Sequence, residues 1–190
     1  MAIPGNPAFW DMADYVEREA NQYKVEAVLD VGTGPKGVVA MHYWDNVQKI
    51  KKGYACDIWK IKELPPHWTP LKMNALDLLD RLPVNSVDVV QAFGFLEHLT
   101  REDGLRFIDI AEKIASKLVI LSAANCIHGV DGFLPGWDPD YKVKLDGNLY
   151  HRYNSTWHWR QFEALGYESN IEHAKDLKTF LLESIAWKHL

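Results

Sequence analysis

Residues 25–37 read Val25-Glu26-Ala27-Val28-Leu29-Asp30-Val31-Gly32-Thr33-Gly34-Pro35-Lys36-Gly37. An apolar, partly β-branched run (Val28, Leu29, Val31) ends in three glycines spaced G-x-G-x-x-G. A run of this kind reads as a buried parallel strand, because helices on both sides of the sheet leave it no solvated face. Gly32 and Gly34 permit a tight turn and let a ligand approach the backbone closely. Val38, Val39, Ala40 and Met41 then read as a short helix. Strand, glycine turn and helix in that order form a nucleotide-binding entrance.

Asp30 sharpens the choice of ligand. A dinucleotide would bring a pyrophosphate to the turn, and a carboxylate beside it would repel that anion. S-adenosylmethionine brings no phosphate; it carries an α-ammonium and a sulfonium, and both suit a carboxylate. At this point the sequence resembles class I S-adenosylmethionine-dependent methyltransferases, whose first motif is an acidic residue followed by G-x-G. The resemblance implies an α/β fold: a three-layer sandwich around a mostly parallel, twisted, seven-stranded sheet with an antiparallel C-terminal hairpin.

A chain of 190 residues is expected to form one domain with a proper core. The net charge of −5 comes with no basic cluster, which disfavours a nucleic-acid substrate. Two cysteines, Cys56 and Cys126, lie far apart without a C-x-x-C, as expected of reduced thiols in a cytoplasmic protein. No signal peptide and no bilayer-spanning apolar run is read, so no membrane partner is expected. Eight Trp is a high count.

Ahead of the glycine turn, residues 1–24 read as a helical cap. Asn6 and Pro7 suit a helix start, and Phe9, Met12, Ala13 and Val16 recur at helical spacing. In the resembled family such a helix lies over the donor pocket, which would turn Trp10 and Tyr15 toward substrate; a helix that only packs on the sheet is the alternative. Beyond the turn, Gly53 to Asp57 reads as the second strand. Asp57 lies 20 residues past Gly37, where a carboxylate can accept both ribose hydroxyls. Ile58 and Trp59 follow and could sandwich an adenine ring.

Residues 70–79 read as a short strand and turn, and resemble the family's Asp-Ala-x-Asp-Leu run. Asn74 stands at the usual Asp, and its amide oxygen can accept from the adenine amine. Ala75 would offer its backbone amide to the ring, and Asp77 reads as a helix or turn cap. Ser86 to Phe93 is the fourth strand, whose end lies beside the donor's methionine arm in the family; Gln91 and Phe93 would line that arm. The sequence lacks the Asn/Asp-Pro-Pro-aromatic run of amino-directed nucleic-acid methyltransferases and the Pro-Cys of cytosine C5 enzymes. Glu97 and His98 match part of a Glu-x-x-Glu-His metal motif, but Gly94 replaces its first Glu, so no metal is expected.

Thr100 to Asp103 outlines a capping box opening a helix that packs Leu105, Phe107, Ile108, Ile110, Ala111 and Ile114 on the sheet. Lys117 to Ala123 reads as the fifth strand, giving alternating strands and helices, the pattern of a doubly wound sheet. Residues 124–154 are rich in turn dipeptides and aromatics. They follow the fifth strand, whose carboxyl end faces ligands in this fold, and read as an acceptor lid; a structural hairpin is the alternative. Ser155 to Tyr167 resembles the family's last helix, and Tyr167 to His173 with Leu177 to Trp187 its terminal hairpin.

The function implied is methyl transfer from S-adenosylmethionine to a small-molecule acceptor by in-line displacement, leaving S-adenosylhomocysteine. Donor binding would use Asp30, Gly32, Gly34, Asp57, Ile58, Trp59, Asn74, Ala75, Gln91 and Phe93. A hydroxyl acceptor would need a base, for which His128, His151 and His98 are the candidates. Two other readings stay open: an NAD(P)-dependent oxidoreductase on the same glycine turn, and a non-catalytic S-adenosylmethionine-binding protein. The acceptor atom and the oligomeric state are open as well.

Overall fold

The computed structural model describes residues 16–34, 44–45, 49–62, 64–127, 155, 157–173 and 181–190, with side chains for all of these except 124–127, 170–173 and 181–183. Its centre is a seven-stranded sheet in the order β3-β2-β1-β4-β5-β7-β6. The strands are β1 (Ala27–Val31), β2 (Lys52–Asp57), β3 (Trp68–Lys72), β4 (Val87–Phe93), β5 (Ala115–Ile127), β6 (Glu168–His173) and β7 (Leu181–His189). β1 to β5 pair in parallel, and β7 enters antiparallel between β5 and β6. This is the expected sheet with its antiparallel terminal hairpin.

Strand periodicity divides the core in two. On one face Leu29, Val31, Cys56, Val90, Ala92, Val119 and Leu121 pack beneath helix α1 (Arg101–Ile114). On the other, Val28, Ala55, Val89, Leu118 and Ile120 meet Val16 and Ala20 of the helical residues 16–20, together with Trp44. Each such side chain stabilises the fold by about 1.5–3 kcal/mol when fully buried. The central strand β1 has neighbours on both edges and is buried on both faces, so its apolar run tolerates no alternation with polar residues except at Asp30.

Several elements differ from the sequence expectation. The β2–β3 connection contains no helix among its described residues, and a 3-10 turn (Ala75–Asp80) stands in the β3–β4 connection. Asn74, not Asp77, caps that turn: its side chain accepts from Leu76 N. Helix α1 starts as expected, with Thr100 Oγ1 accepting from Asp103 N at 3.1 Å. Its Leu105 is exposed, however, and Gly104 is buried in its place against Trp157. Residues 124–127, expected in the loop, extend β5 because β7 continues to pair with them as far as Ile127↔Leu181. The last helix is short. α2 (Trp159–Glu163) begins only after His158, which caps it through a capping box with Gln161, so Ser155 and Trp157 precede it. The helix expected at 38–41, the N-terminal positions through Tyr15 and the stretch 128–154 lie outside the described residues.

Candidate functional site

The site forms where β1, β2 and β4 end. β1 stops at Val31, and Gly32 and Gly34 turn the chain at φ +74° and +73°, a left-handed conformation that side chains with a Cβ resist. The turn is tied to the end of β2. Gly32 N donates to Cys56 O at 2.9 Å and Thr33 N to the same oxygen at 3.4 Å. Gly34 N donates to Asp57 Oδ2 at 2.8 Å. The other oxygen of Asp57 accepts from Trp59 N at 2.9 Å. One carboxylate therefore fixes the glycine turn and the bend after β2, and each oxygen keeps a further lone pair for a ligand hydroxyl.

The two glycines serve different ends. A Cβ at Gly32 would lie 2.8 Å from Phe95, whereas one at Gly34 would meet nothing within 4 Å among the described residues. Gly32 is thus small to admit the Phe95 ring, which also packs edge-on against Phe107 of α1 at 5.0 Å. Both glycines were expected to give a ligand close access to the backbone; the structure shows in addition that Gly32 packs under Phe95.

Beside Asp57, Ile58 and Trp59 are 39% and 40% exposed, unusual for large apolar side chains. Asn74 is exposed and Ala75 buried at the next strand end. Asn74 Oδ1 accepts from Leu76 N at 3.0 Å. Ala75 N is the first amide of the 3-10 turn, a donor that the turn itself does not engage. Asp57 and Lys72 are register partners, so the two strand ends lie side by side.

Asp30 sits beneath the turn, 4% exposed. Burial in apolar surroundings pushes its carboxyl up to about 6; hydrogen bonds from Gln91 and Thr33 oppose this, and the nearby Asp57 charge adds to it. Gln91, its register partner on β4, is 1% exposed. Gln91 Nε2 donates to Asp30 Oδ1 at 2.9 Å, and Gln91 Oε1 accepts from Trp44 Nε1 at 2.7 Å. The Gln91 amide thus lies inside the sheet's second core, engaged by protein partners. Phe93 is partly buried on the same face.

At the end of β4 the chain forms a 3-10 turn, Leu96–His98. Glu97 is buried there and His98 partly exposed. Ser155 and Trp157 clasp this turn from far along the chain. Ser155 Oγ donates to Leu96 O at 3.1 Å and Leu99 O at 2.9 Å, and Ser155 N to Glu97 O at 3.2 Å. Trp157 Nε1 donates to Ser155 Oγ at 2.9 Å. Arg101 stacks on the Trp157 ring at 3.8 Å. His98 is thereby placed on the rim, while His128 and His151 lie outside the described residues. Among the described residues no three His, Cys, Asp or Glu side chains converge on a point that could hold a metal.

The sequence reading did not anticipate Trp44, Phe95 or the Ser155–Trp157 clasp. A signal for the first existed: Asp30 and Gln91 are polar residues inside the largely apolar runs of β1 and β4, strands that a doubly wound order makes neighbours.

No protein-family model matches the sequence, and no curated protein matches it. Solved structures do match in fold. A SAM-dependent methyltransferase from Archaeoglobus fulgidus superposes with a TM-score of 0.60 at 15% identity, over 95% of this chain and 94% of that one. The 1,6-didemethyltoxoflavin-N1-methyltransferase of Burkholderia thailandensis, solved with 1,6-didemethyltoxoflavin and S-adenosylhomocysteine, gives 0.68 at 14% identity, over 97% and 78%. The magnesium protoporphyrin IX methyltransferase of Synechocystis PCC 6803, with bound SAM, gives 0.59 at 14%, over 97% and 78%. At these identities the likeness is one of architecture. The chain has the fold of the class I S-adenosylmethionine-dependent methyltransferases.

Proposed function

We propose that this protein is an S-adenosylmethionine-dependent methyltransferase acting on a small-molecule acceptor. The observation that carries the reading is how the glycine turn's amides are used. A dinucleotide site offers such amides to a pyrophosphate. Here the N–H groups of Gly32 and Thr33 go to Cys56 O, and that of Gly34 goes to the Asp57 carboxylate. Asp30 adds a second carboxylate under the same turn. Two acids and engaged amides suit an ammonium, a sulfonium and ribose hydroxyls, and oppose a phosphate.

In this reading Asp57 takes the ribose, and Ile58 or Trp59 covers the adenine. Asn74 and the Ala75 amide meet the adenine edge. Gly34 gives the methionine arm its backbone clearance, and Phe93 lies at the strand end beside it. When bound, the donor would supply a methyl group on a sulfonium, whose leaving group is a neutral sulfide. The chain's task is then to hold the acceptor in line and exclude water, and it needs no strong acid to do so. The acceptor contacts belong to the stretch beyond β5. Its described flanks, Ile127 at the end of β5 and Ser155 on the turn after β4, both reach the carboxyl rim of the sheet. Where the acceptor is a hydroxyl, His98, His128 or His151 takes its proton. No helix among the described residues is long and apolar enough to cross a membrane. Cys56 is a buried free thiol, which fits a cytoplasmic setting.

The test is calorimetric titration with S-adenosylhomocysteine, NAD and NADP, followed by transfer of labelled methyl to a panel of small acceptors. Binding of the first ligand alone, followed by label transfer, is the expected result. Tight NAD or NADP binding would return the chain to the oxidoreductase reading, and donor binding without transfer to any acceptor would return it to a non-catalytic binder.

A further inference from the structure

We infer that Gln91 and Trp44 are positioning residues for the methyl donor, a buried hydrogen-bond chain from Trp44 through Gln91 fixing the orientation and charge of the Asp30 carboxylate. The inference rests on the methyl-donor reading and assigns to Gln91 a role through Asp30 rather than contact with the methionine arm.

The chain is unambiguous in direction. An indole N–H can only donate and an ionised carboxylate can only accept. Trp44 therefore faces the Gln91 oxygen, at 2.7 Å, and Asp30 faces the Gln91 nitrogen, at 2.9 Å. All three side chains are buried, at 0%, 1% and 4% exposure, among Val28, Val89 and Ile120. An apolar pair at positions 30 and 91 would suit that core better, since an amide and a carboxylate must both be desolvated there. The polar pair is instead hydrogen-bonded to itself and to Trp44, and Asp30 stands two residues before the glycine turn.

The outer end of the chain is fixed as well. Asp45, next to Trp44, takes hydrogen bonds from Trp68 Nε1 and pairs with His67 Nε2, both at 2.8 Å, which anchors the 44–45 dipeptide to the sheet edge. Trp44 is thus held from both sides. The groups bearing on Asp30 are Gln91 from β4, Thr33 from the turn, and Asp57 with the neutral thiol of Cys56 from β2. Of these, Gln91 and Thr33 favour its charged form, while burial and Asp57 disfavour it. Losing the Gln91 donor would let Asp30 protonate nearer neutral pH and swing free of its register partner.

The experiment measures S-adenosylhomocysteine affinity from pH 5 to 8.5 for wild type, Gln91→Met and Trp44→Phe. Adenosine is the companion ligand: it keeps the ribose and base but has no ammonium. In wild type, S-adenosylhomocysteine affinity should fall below about pH 6 while adenosine affinity stays level. Gln91→Met keeps the volume and removes both hydrogen bonds. It should move the acid limb to higher pH and lower S-adenosylhomocysteine affinity at pH 7 by about tenfold or more, leaving adenosine unchanged. Trp44→Phe should do the same to a smaller degree. A wild-type pH profile in Gln91→Met, or equal loss of both ligands, overturns the inference. Should that variant fail to fold, an unchanged profile in Trp44→Phe overturns it. Folded wild type that binds no S-adenosylhomocysteine at pH 8 would refute the donor reading itself, a distinct result.

Discussion

Asp30→Asn should make the ligand-free protein more stable at neutral pH while weakening its hold on the donor. Burial pushes the Asp30 carboxyl up to about 6 in the folded chain, well above the ordinary range of an exposed aspartate. A folded value above the unfolded one means that the folded state binds the proton more readily. The stability this contributes is complete below the unfolded value and is lost as the pH rises through about 6. Above that window the ionised carboxylate stays buried at a cost on the order of 3 kcal/mol. Asn has the same shape, keeps an oxygen for Gln91 Nε2 and carries no charge. For a chain of this size 1 kcal/mol moves Tm by about 2–4 °C, so the substitution should raise Tm by about 6–12 °C at pH 7.5. Thermal unfolding of both proteins by circular dichroism across the acid range, at fixed ionic strength, checks it. The Tm difference should be small near pH 3.5 and grow through the interval from about 4 to 6. Other carboxylates with shifted titrations, such as Asp88 beside Lys117, act in both proteins and cancel. A difference independent of pH, or a variant less stable than wild type at pH 7.5, would refute the reasoning.

Asp57→Ala removes the acceptor for Gly34 N and Trp59 N as well as the proposed ribose contact, and should weaken S-adenosylhomocysteine binding by roughly 1.5–3 kcal/mol by calorimetry. The two turn glycines should separate: Gly34→Ala meets nothing among the described residues and should cost about 1–2 kcal/mol of stability from its φ alone, yet lose donor affinity, whereas Gly32→Ala also collides with Phe95 and should lower Tm further. Equal melting temperatures for the two variants would contradict that division. Gly104→Ala places a Cβ 2.3 Å from the Trp157 ring and should destabilise by about 1–3 kcal/mol in denaturant unfolding, with affinity per folded molecule unchanged.

The sheet was legible in the sequence because its signal is local. Val28, Leu29 and Val31 form an apolar run, and only glycine is at ease at the φ of residues 32 and 34, so the βα entrance could be read from consecutive residues. Asp57 was legible by its distance from the turn. What was not legible depends on register and on contacts remote in sequence. That Asp30 lies opposite Gln91 is a property of β1–β4 pairing, and no spacing rule reports it. Phe95 was silent because its partner, Gly32, is 63 positions away. The length of β5 is set by β7, which reaches it from the other end of the chain. The capping role of Asn74 was missed because a 3-10 turn begins at Ala75, after Met73 and Asn74 follow the strand end at Lys72, where a ligand contact was the expected use of the Asn74 side chain.

The high tryptophan count also takes on a different meaning in the folded chain. Read as composition, it assigned the rings no place. In the structure Trp44, Trp68, Trp157 and Trp187 are buried, and among the described tryptophans Trp59 is the most open. Two of the buried rings lie on glycines: a Cβ at Gly53 would stand 2.2 Å from Trp68, and one at Gly104 would stand 2.3 Å from Trp157. Phe95 on Gly32 repeats the arrangement at the site itself. A missing Cβ on a strand, a turn or a helix lets a large ring lie flat on the backbone, and the ring then supplies more contact area than two mid-sized side chains would. Trp68 and Trp157 further place their indole N–H on Asp45 and Ser155, so each ring ties a connecting segment to the sheet as well as filling space. The two segments secured in this way are the one carrying Trp44 toward Asp30 and the one clasping the turn after β4. The first reaches the Asp30–Gln91 pair through Trp44, and the second packs on the turn that follows β4. The tryptophans therefore serve the site mainly from behind, by holding its walls.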